Sequence, residues 1–183
     1  YKGEVFMVRR ALLNMSLGFI LIMVDVRVRG FDLVPDIVGY ILFALAINDL
    51  ERRSECYAKA KPFNFVLIAL SIFTLVETGN TPSFIGPLGY LVGIAALLLN
   101  LLVVYYLLMG TKEVLVMSGQ RKLATEADRL WLYYLILKAA GVLSYLVAPI
   151  PILSGIYIVA LLVLNIVLAA TYFKFLNASA EAL

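Results

Sequence analysis

Uncharged stretches recur along the chain at 11–24, 37–48, 62–76, 78–111 and 139–173, separated by short segments that hold nearly all the Lys, Arg, Asp and Glu. A bilayer-spanning helix needs ~20 mostly apolar residues, with about 17 as a lower limit. The last two stretches exceed one span, and turn signals divide both. Stretch 78–111 opens with Thr78-Gly79-Asn80-Thr81-Pro82-Ser83, passes Gly86-Pro87 and then reads as a clean helix from about Leu88 to Met109. Stretch 139–173 is cut at Ala148-Pro149-Ile150-Pro151, where two prolines end one helix and begin another.

The pattern predicts an all-α, polytopic membrane bundle that forms a single domain over 1–183. Six spanning helices are expected near 8–28, 33–50, 63–78, 88–109, 127–148 and 152–175. The first two have short uncharged cores. Arg9 and Arg10 reaching to one interface, and Asp36 in the first turn at the other, extend them to a full crossing. The alternative for these two is a pair of re-entrant half-helices.

Composition supports lipid as the solvent. The set AVILMFWYC makes up 63% of the 183 residues and charged residues 15%, with a mean hydropathy of +0.99. Soluble domains carry about 25% charged residues, and a fold of this size has no interior for so much apolar surface. There is no histidine, which removes the usual general base and the commonest metal ligand. The single cysteine, Cys56, forms no intrachain disulfide or multi-thiolate site. Neither an enzyme nor a cofactor is expected, and no catalytic or metal-ligating residue is assigned. Arg9-Arg10 precede an apolar run, but no small-residue cleavage pattern follows, so a secretory leader is not expected.

Charge sets an expected orientation. With the N-terminus inside, Lys2, Arg9, Arg10, Arg52, Arg53, Lys59, Lys61, Lys112, Arg121, Lys122, Arg129 and Lys174 face the cytosol, which is twelve of the 15 Lys and Arg. The positive-inside rule then puts both termini in the cytosol of a multi-pass cell-membrane protein. The net charge of +3 therefore calls for no nucleic acid.

Two groups of residues carry candidate chemistry. Lys138 lies nine residues beyond Arg129, roughly 13–14 Å along a helix and so near the bilayer midplane. A lysine at that depth costs ~2.5–3.5 kcal/mol and calls for a partner or a wet cavity. Trp131, Tyr134, Gly141 and Tyr145 share its helix face, and Tyr134 and Tyr145 offer a hydroxyl or a ring face to the ammonium. Asn100 and Asn165, with Asn14 and Ser71, are expected at similar depth. These residues make a candidate ligand-binding layer, or a set of amides that bridge helices.

The second group is an outer-face cluster of Asp25, Arg27, Arg29, Asp32 and Asp36. Asp25 and Arg29 have the spacing of a helical ion pair, and Asp36 falls where a helix N-terminus favours a carboxylate. Capping accounts for Asp32 and Asp36; an outward vestibule that selects a charged solute accounts for all five.

Three further patterns carry structural expectations. Gly89-Xaa-Xaa-Xaa-Gly93 permits close helix approach, within the chain or between copies. Thr125-Glu126-Ala127-Asp128 reads as the capped start of helix five, and Tyr105, Tyr106, Trp131, Tyr133 and Tyr172 as an interfacial belt. Similar Pro–Tyr–Asn phrases open helices two, four and six, as related hairpins would.

The phrase Gly30-Phe31-Asp32-Leu33-Val34-Pro35-Asp36-Ile37-Val38-Gly39-Tyr40, preceded by a short apolar helix, resembles small multi-span membrane proteins of Gram-positive bacteria with no assigned function. That resemblance covers residues 11–50 and implies no active site. The size, six spans and inside termini, with the run Gly86-Pro87-Leu88-Gly89-Tyr90-Leu91-Val92-Gly93, also resemble the substrate-binding component of energy-coupling-factor vitamin transporters. Helix one departs from that family, offering Ala11, Ser16 and Gly18 in place of its Ala-x-x-x-Ala docking motif.

The expected function is binding or transport of a small solute or ion through the polar midplane site. The alternatives are an accessory or regulatory membrane subunit without transport activity, and the vitamin-binding component that the second resemblance implies. Expected partners are the lipid bilayer, the solute or ion, and a second copy of the chain or a partner membrane subunit.

Overall fold

The computed structural model describes residues 2–23, 27–28, 31–32, 36–77, 86–147 and 149–183, with side chains over 6–23, 36–72, 91–144, 146–147 and 149–183. Six α-helices account for nearly all of them: α1 (Lys2–Met23), α2 (Asp36–Leu50), α3 (Glu55–Glu77), α4 (Gly86–Met117), α5 (Arg121–Val147) and α6 (Pro151–Ala182). Between α1 and α2 lies a two-residue antiparallel ladder, β1 (Arg27–Val28) with β2 (Phe31–Asp32), pairing Arg27 with Asp32 and Val28 with Phe31.

Among the described residues, three helices are long and apolar enough to cross a membrane, over Phe6–Met23, Leu91–Met117 and Pro151–Ala182. The fifteen residues of α2 reach about 22 Å at 1.5 Å per residue.

Several helix bounds differ from the sequence expectation, and local chemistry explains why. The first helix ends at Met23 rather than running to 28; Val24-Asp25-Val26-Arg27-Val28-Arg29 alternates β-branched with charged residues, a strand pattern. Helix α3 starts at Glu55, seven residues before its uncharged stretch, because Ser54 Oγ accepts the Cys56 amide at 3.1 Å, capping the first turn. It continues through Pro62. Helix α4 runs on to Met117 and stops at Gly119 (φ 79°), where Gln120 N–H donates to Leu115 and Gly119 N–H to Val116. That pair of bonds is a glycine-terminated helix end. Helix α5 therefore begins at Arg121, not at the expected Thr125 cap; Thr125 is inside the helix and donates to the Lys122 carbonyl at 2.7 Å. Pro151 occupies the first turn of α6 behind the extended Ile150, as expected for proline.

Each helix packs on its neighbours in chain order and α1 packs on α6, so the six close a ring. Adjacent helices run antiparallel, as the paired levels show: Gly18 meets Gly39, Tyr57 meets Thr111, Lys112 meets Asp128, and Tyr172 meets Leu130. Both ends of the helical chain, the 51–54 turn and the 118–120 turn thus lie at one end of the ring, here called the terminal end. The buried aromatic residues cluster midway. Phe19 of α1 lies 4.9 Å from Phe43 of α2 and 4.4 Å from Tyr172 of α6, and Tyr172 meets Tyr134 of α5 at 6.2 Å, centroid to centroid. Tyr172 is therefore core, not interfacial belt.

The close helix approach is also elsewhere than expected. A Cβ built on Gly93 meets nothing within 4 Å, whereas one on Gly18 would lie 2.9 Å from the Gly39 carbonyl oxygen and one on Gly39 would lie 2.5 Å from Ile22 Cγ1. Glycine at these two positions lets α1 and α2 touch through their backbones.

Candidate functional site

One turn beyond the aromatic layer, away from the terminal end, the ring encloses a cavity of about 310 Å³. Ile22 and Met23 line it from α1, Asp36 and Tyr40 from α2, Ala96, Leu97 and Asn100 from α4, Lys138 from α5 and Asn165 from α6. Helices α2 and α5 are three places apart in the ring, and each contributes a charged residue to the lining.

The floor is a hydrogen-bonded chain. Tyr134 donates its hydroxyl to Asn100 Oδ1, and Asn100 Nδ2 donates to the Tyr40 hydroxyl at 2.9 Å. Tyr134 is fully buried and Tyr40 and Asn100 nearly so; in a dry interior each of these groups would cost free energy without its partner. Because Asn100 occupies one lone pair of Tyr40, the Tyr40 hydroxyl keeps its own hydrogen for another acceptor. Asn64 fixes the same turn from α3, donating to the Tyr40 carbonyl at 2.9 Å.

Lys138 rests over the Tyr134 ring, with Nζ 5.2 Å from the centroid, a cation–π contact. Asn165 spends one N–H on the Leu161 carbonyl at 3.0 Å, a turn back on its own helix.

The structure thus merges what the sequence reading kept apart. Lys138, Tyr134, Asn100 and Asn165 assemble as one layer, and Asp36 from the outer cluster joins them. The rest of that cluster does not gain support. Asp25 and Arg29 lie outside the described residues. Arg27 and Asp32 sit opposite each other in the two-residue ladder. The Tyr145 side chain also falls outside the described set. Ser71 turns to the Leu67 carbonyl at 2.8 Å and is not among the cavity residues.

Tyr40 is the residue the sequence reading missed, naming it only as part of the phrase that opens helix two. Its signal was available: Asp36 and Tyr40 are four apart and share one helix face. The Pro–Tyr–Asn phrases do not mark equivalent positions. Tyr40 lies in the floor while Tyr157 donates to the Ala140 carbonyl at 2.8 Å, and Asn48 is exposed while Asn100 is buried.

A second polar cluster lies at the terminal end. Ser54 and Cys56 both donate to Glu113, the thiol at 3.4 Å. Thr111 donates to the Leu107 carbonyl, so the Tyr57 hydroxyl, 2.9 Å away, donates to Thr111. Ion pairs Lys61–Glu51 and Lys112–Asp128, both at 2.7 Å, tie neighbouring helices. Burial, followed by the hydrogen bond and negative charge of Glu113, pushes the Cys56 thiol above its ordinary pKa. These contacts join α3 to α4 and α4 to α5. Among the described residues no group of three or more Cys, Asp or Glu converges to hold a metal.

Comparison of the chain with protein-family models, with curated proteins and with solved structures gives no match.

Proposed function

We propose that the chain is a multi-pass membrane protein whose cavity binds a small solute or ion, as a binding or transport protein. In this reading all six helices cross the bilayer, with both termini and the 51–54 and 118–120 turns in the cytosol. The twelve cationic residues named above belong to the terminal end of the ring, which supports that orientation by the positive-inside rule. The short α2 crosses by local thinning of the bilayer around it.

The observation that carries the proposal is the meeting of Lys138 and Asp36 in one cavity, above a closed, hydrogen-bonded floor. Ionisable groups inside a membrane bundle are expensive and mark solute or ion sites by default. The volume is at the small end of the range for ligand pockets, roughly 300–1,000 Å³.

The test uses the purified chain in lipid nanodiscs, screened by thermal shift against a panel of small anions, cations and zwitterions. A hit should lose at least tenfold in affinity in Lys138→Met while the ligand-free melting midpoint stays within a few degrees. Unchanged affinity in that variant would remove Lys138 from the site and the proposal with it. Topology is checked separately with an impermeant maleimide on whole cells: Ile150→Cys in a Cys56→Ala background should label from outside, and native Cys56 only after lysis.

A further inference from the structure

Basic side chains of the terminal end fall into two sets. Lys59, Lys61 and Lys112, on α3 and α4, are ion-paired with Glu55, Glu51 and Asp128. Lys122 and Arg129 on α5 and Lys174 on α6 are exposed and, among the described residues, form no ion pair. Contacts on the two sides of α5 place this second set. Trp131 meets Tyr105 at 5.3 Å, which marks the flank toward α4, while Ala140 accepts the Tyr157 hydroxyl at 2.8 Å, which marks the flank toward α6. Counting back from Ala140 in steps of four and three, Ile136, Tyr133, Arg129, Glu126 and Lys122 share that α6 flank. Lys174 comes to within about a turn of the Arg129 level, because Tyr172 donates to the Leu130 carbonyl at 3.1 Å. It lies on the outward face of α6, away from the buried row of Leu168, Tyr172 and Leu176. Glu126 is exposed on the same seam, so three cations stand against one carboxylate and the seam stays net positive.

We infer that the α5–α6 seam binds the headgroup of an anionic phospholipid, with Arg129 and Lys174 on its phosphate. This rests on the membrane reading above, with the terminal end at the bilayer surface, and is independent of the solute site. An arginine fork donates two hydrogen bonds to one phosphate, and lysine adds a second point charge. Further from the terminal end the seam changes character in the order a lipid does. Tyr133, 52% exposed, stands one turn beyond Arg129, where a phenol suits the boundary between headgroup and chains. Ile136 and Leu143 on α5 and Leu164 and Val167 on α6 follow, all exposed, as apolar surface for acyl chains. The outer face of α3 offers similar apolar surface at Phe65 and Val66, but its Lys59 and Lys61 are already held by carboxylates. Uncommitted cations at the membrane surface attract anionic lipids, so the two faces should differ in lipid preference.

Quenching of a single tryptophan by brominated lipid compares the two faces. In a Trp131→Phe background, Ile136→Trp reports on the seam and Phe65→Trp on α3, with Leu143→Trp as a second seam reporter. Each chain is reconstituted in phosphatidylcholine vesicles with a minor fraction of brominated phosphatidylglycerol, or of brominated phosphatidylcholine as the neutral reference. Preference for phosphatidylglycerol at both seam reporters should be about fivefold or more, against less than about twofold at Phe65→Trp. Arg129→Gln with Lys174→Gln should bring the seam down to the α3 value. Arg52→Gln with Lys59→Gln removes as many charges from the terminal end and should leave the seam preference unchanged. Equal preference on the two faces, or an equal loss from the two double variants, would reduce the effect to the general charge of the surface and overturn the assignment. Seam reporters that no lipid quenches, in a chain that cross-links as a dimer, would give the seam to a second copy and overturn it too. None of these outcomes bears on the cavity, whose own test is ligand affinity in Lys138→Met.

Discussion

The terminal half of the helix ring and the half around the cavity are built from similar residues but packed to different degrees. In the terminal half, Ala11, Leu12, Met15, Ala46, Ile47, Leu107, Leu108, Ala127 and Leu176 are all essentially inaccessible. In the other half, Ile94, Leu98, Val142, Leu143, Ile156, Val159 and Val163 are exposed. Helix α6 shows the same contrast along its length: its buried residues all fall from Leu168 onward, toward the terminal end. Leu and Ile are therefore no guide to the interior here. What separates the halves is small residues, which let backbones approach, and interhelical hydrogen bonds. Both matter most where lipid removes the hydrophobic drive between helices. The cavity lies at the boundary, where close packing below gives a fixed floor and looser packing above gives space.

The largest test of this contrast is truncation of a core ring. Phe19→Ala removes the contacts that join α1 to α2 and α6. It should cost about 3–5 kcal/mol, lowering the melting midpoint in detergent by roughly 6–20 °C. Leu162→Ala, on an exposed face, should stay within about 0.5 kcal/mol. Equal losses would erase the distinction between the halves.

Glycine substitution comes next. Gly18→Ala puts a methyl 2.7 Å from the Phe43 ring and 2.9 Å from backbone oxygen, and should destabilise by about 1–3 kcal/mol. Gly93→Ala and Gly155→Ala meet open space and should be neutral or stabilising by up to ~1 kcal/mol, through helix propensity. Thermal unfolding of the three variants side by side decides it.

A smaller effect is expected at the floor. Tyr134→Phe keeps the ring under Lys138 but deletes the hydrogen bond to Asn100. The cost to stability should be only about 0.6 kcal/mol, while the solute affinity of the cavity should fall several-fold, because Asn100 is then free to turn away from Tyr40. A large stability loss with unchanged affinity would make the chain a packing device only.

The smallest is kinetic and lies in the terminal half. With its pKa raised by burial and by Glu113, Cys56 should alkylate slowly at pH 7.5 and faster as pH rises through 9 and beyond. Glu113→Gln should speed it several-fold at the lower pH. The sign for stability follows: the folded chain holds this proton to higher pH than the unfolded chain. The contribution is thus intact below the ordinary thiol pKa and fades as pH rises past it.

The sequence made some of this legible and hid the rest for identifiable reasons. Prolines and long apolar stretches marked six helices, and Lys138 stood out because a single charge interrupts an apolar helix. The helix ends were misjudged wherever a helix continues through polar residues, as α3 does before Pro62 and α4 does after Met109. Apolar length measures the bilayer, while helix length is set by caps such as Ser54 and Gly119. The strand at Arg27–Val28, β-branched and charged, was overlooked beside the apolar run it follows. Gly89 and Gly93 looked like a packing seam because spacing says nothing about which helix, if any, lies opposite.

One-dimensional information gave the all-α class, the long apolar helices and the position of the buried-charge candidate along its helix, since each depends on residues close in the chain. Only the tertiary structure decided that Asp36 and Lys138 share a cavity, that Tyr40, Asn100 and Tyr134 form its floor, and that Gly18 and Gly39 carry the close contact. Those are relations between helices, fixed when α1 closes on α6 and brings α2 and α5 to face each other. No local pattern encodes a distance across the ring.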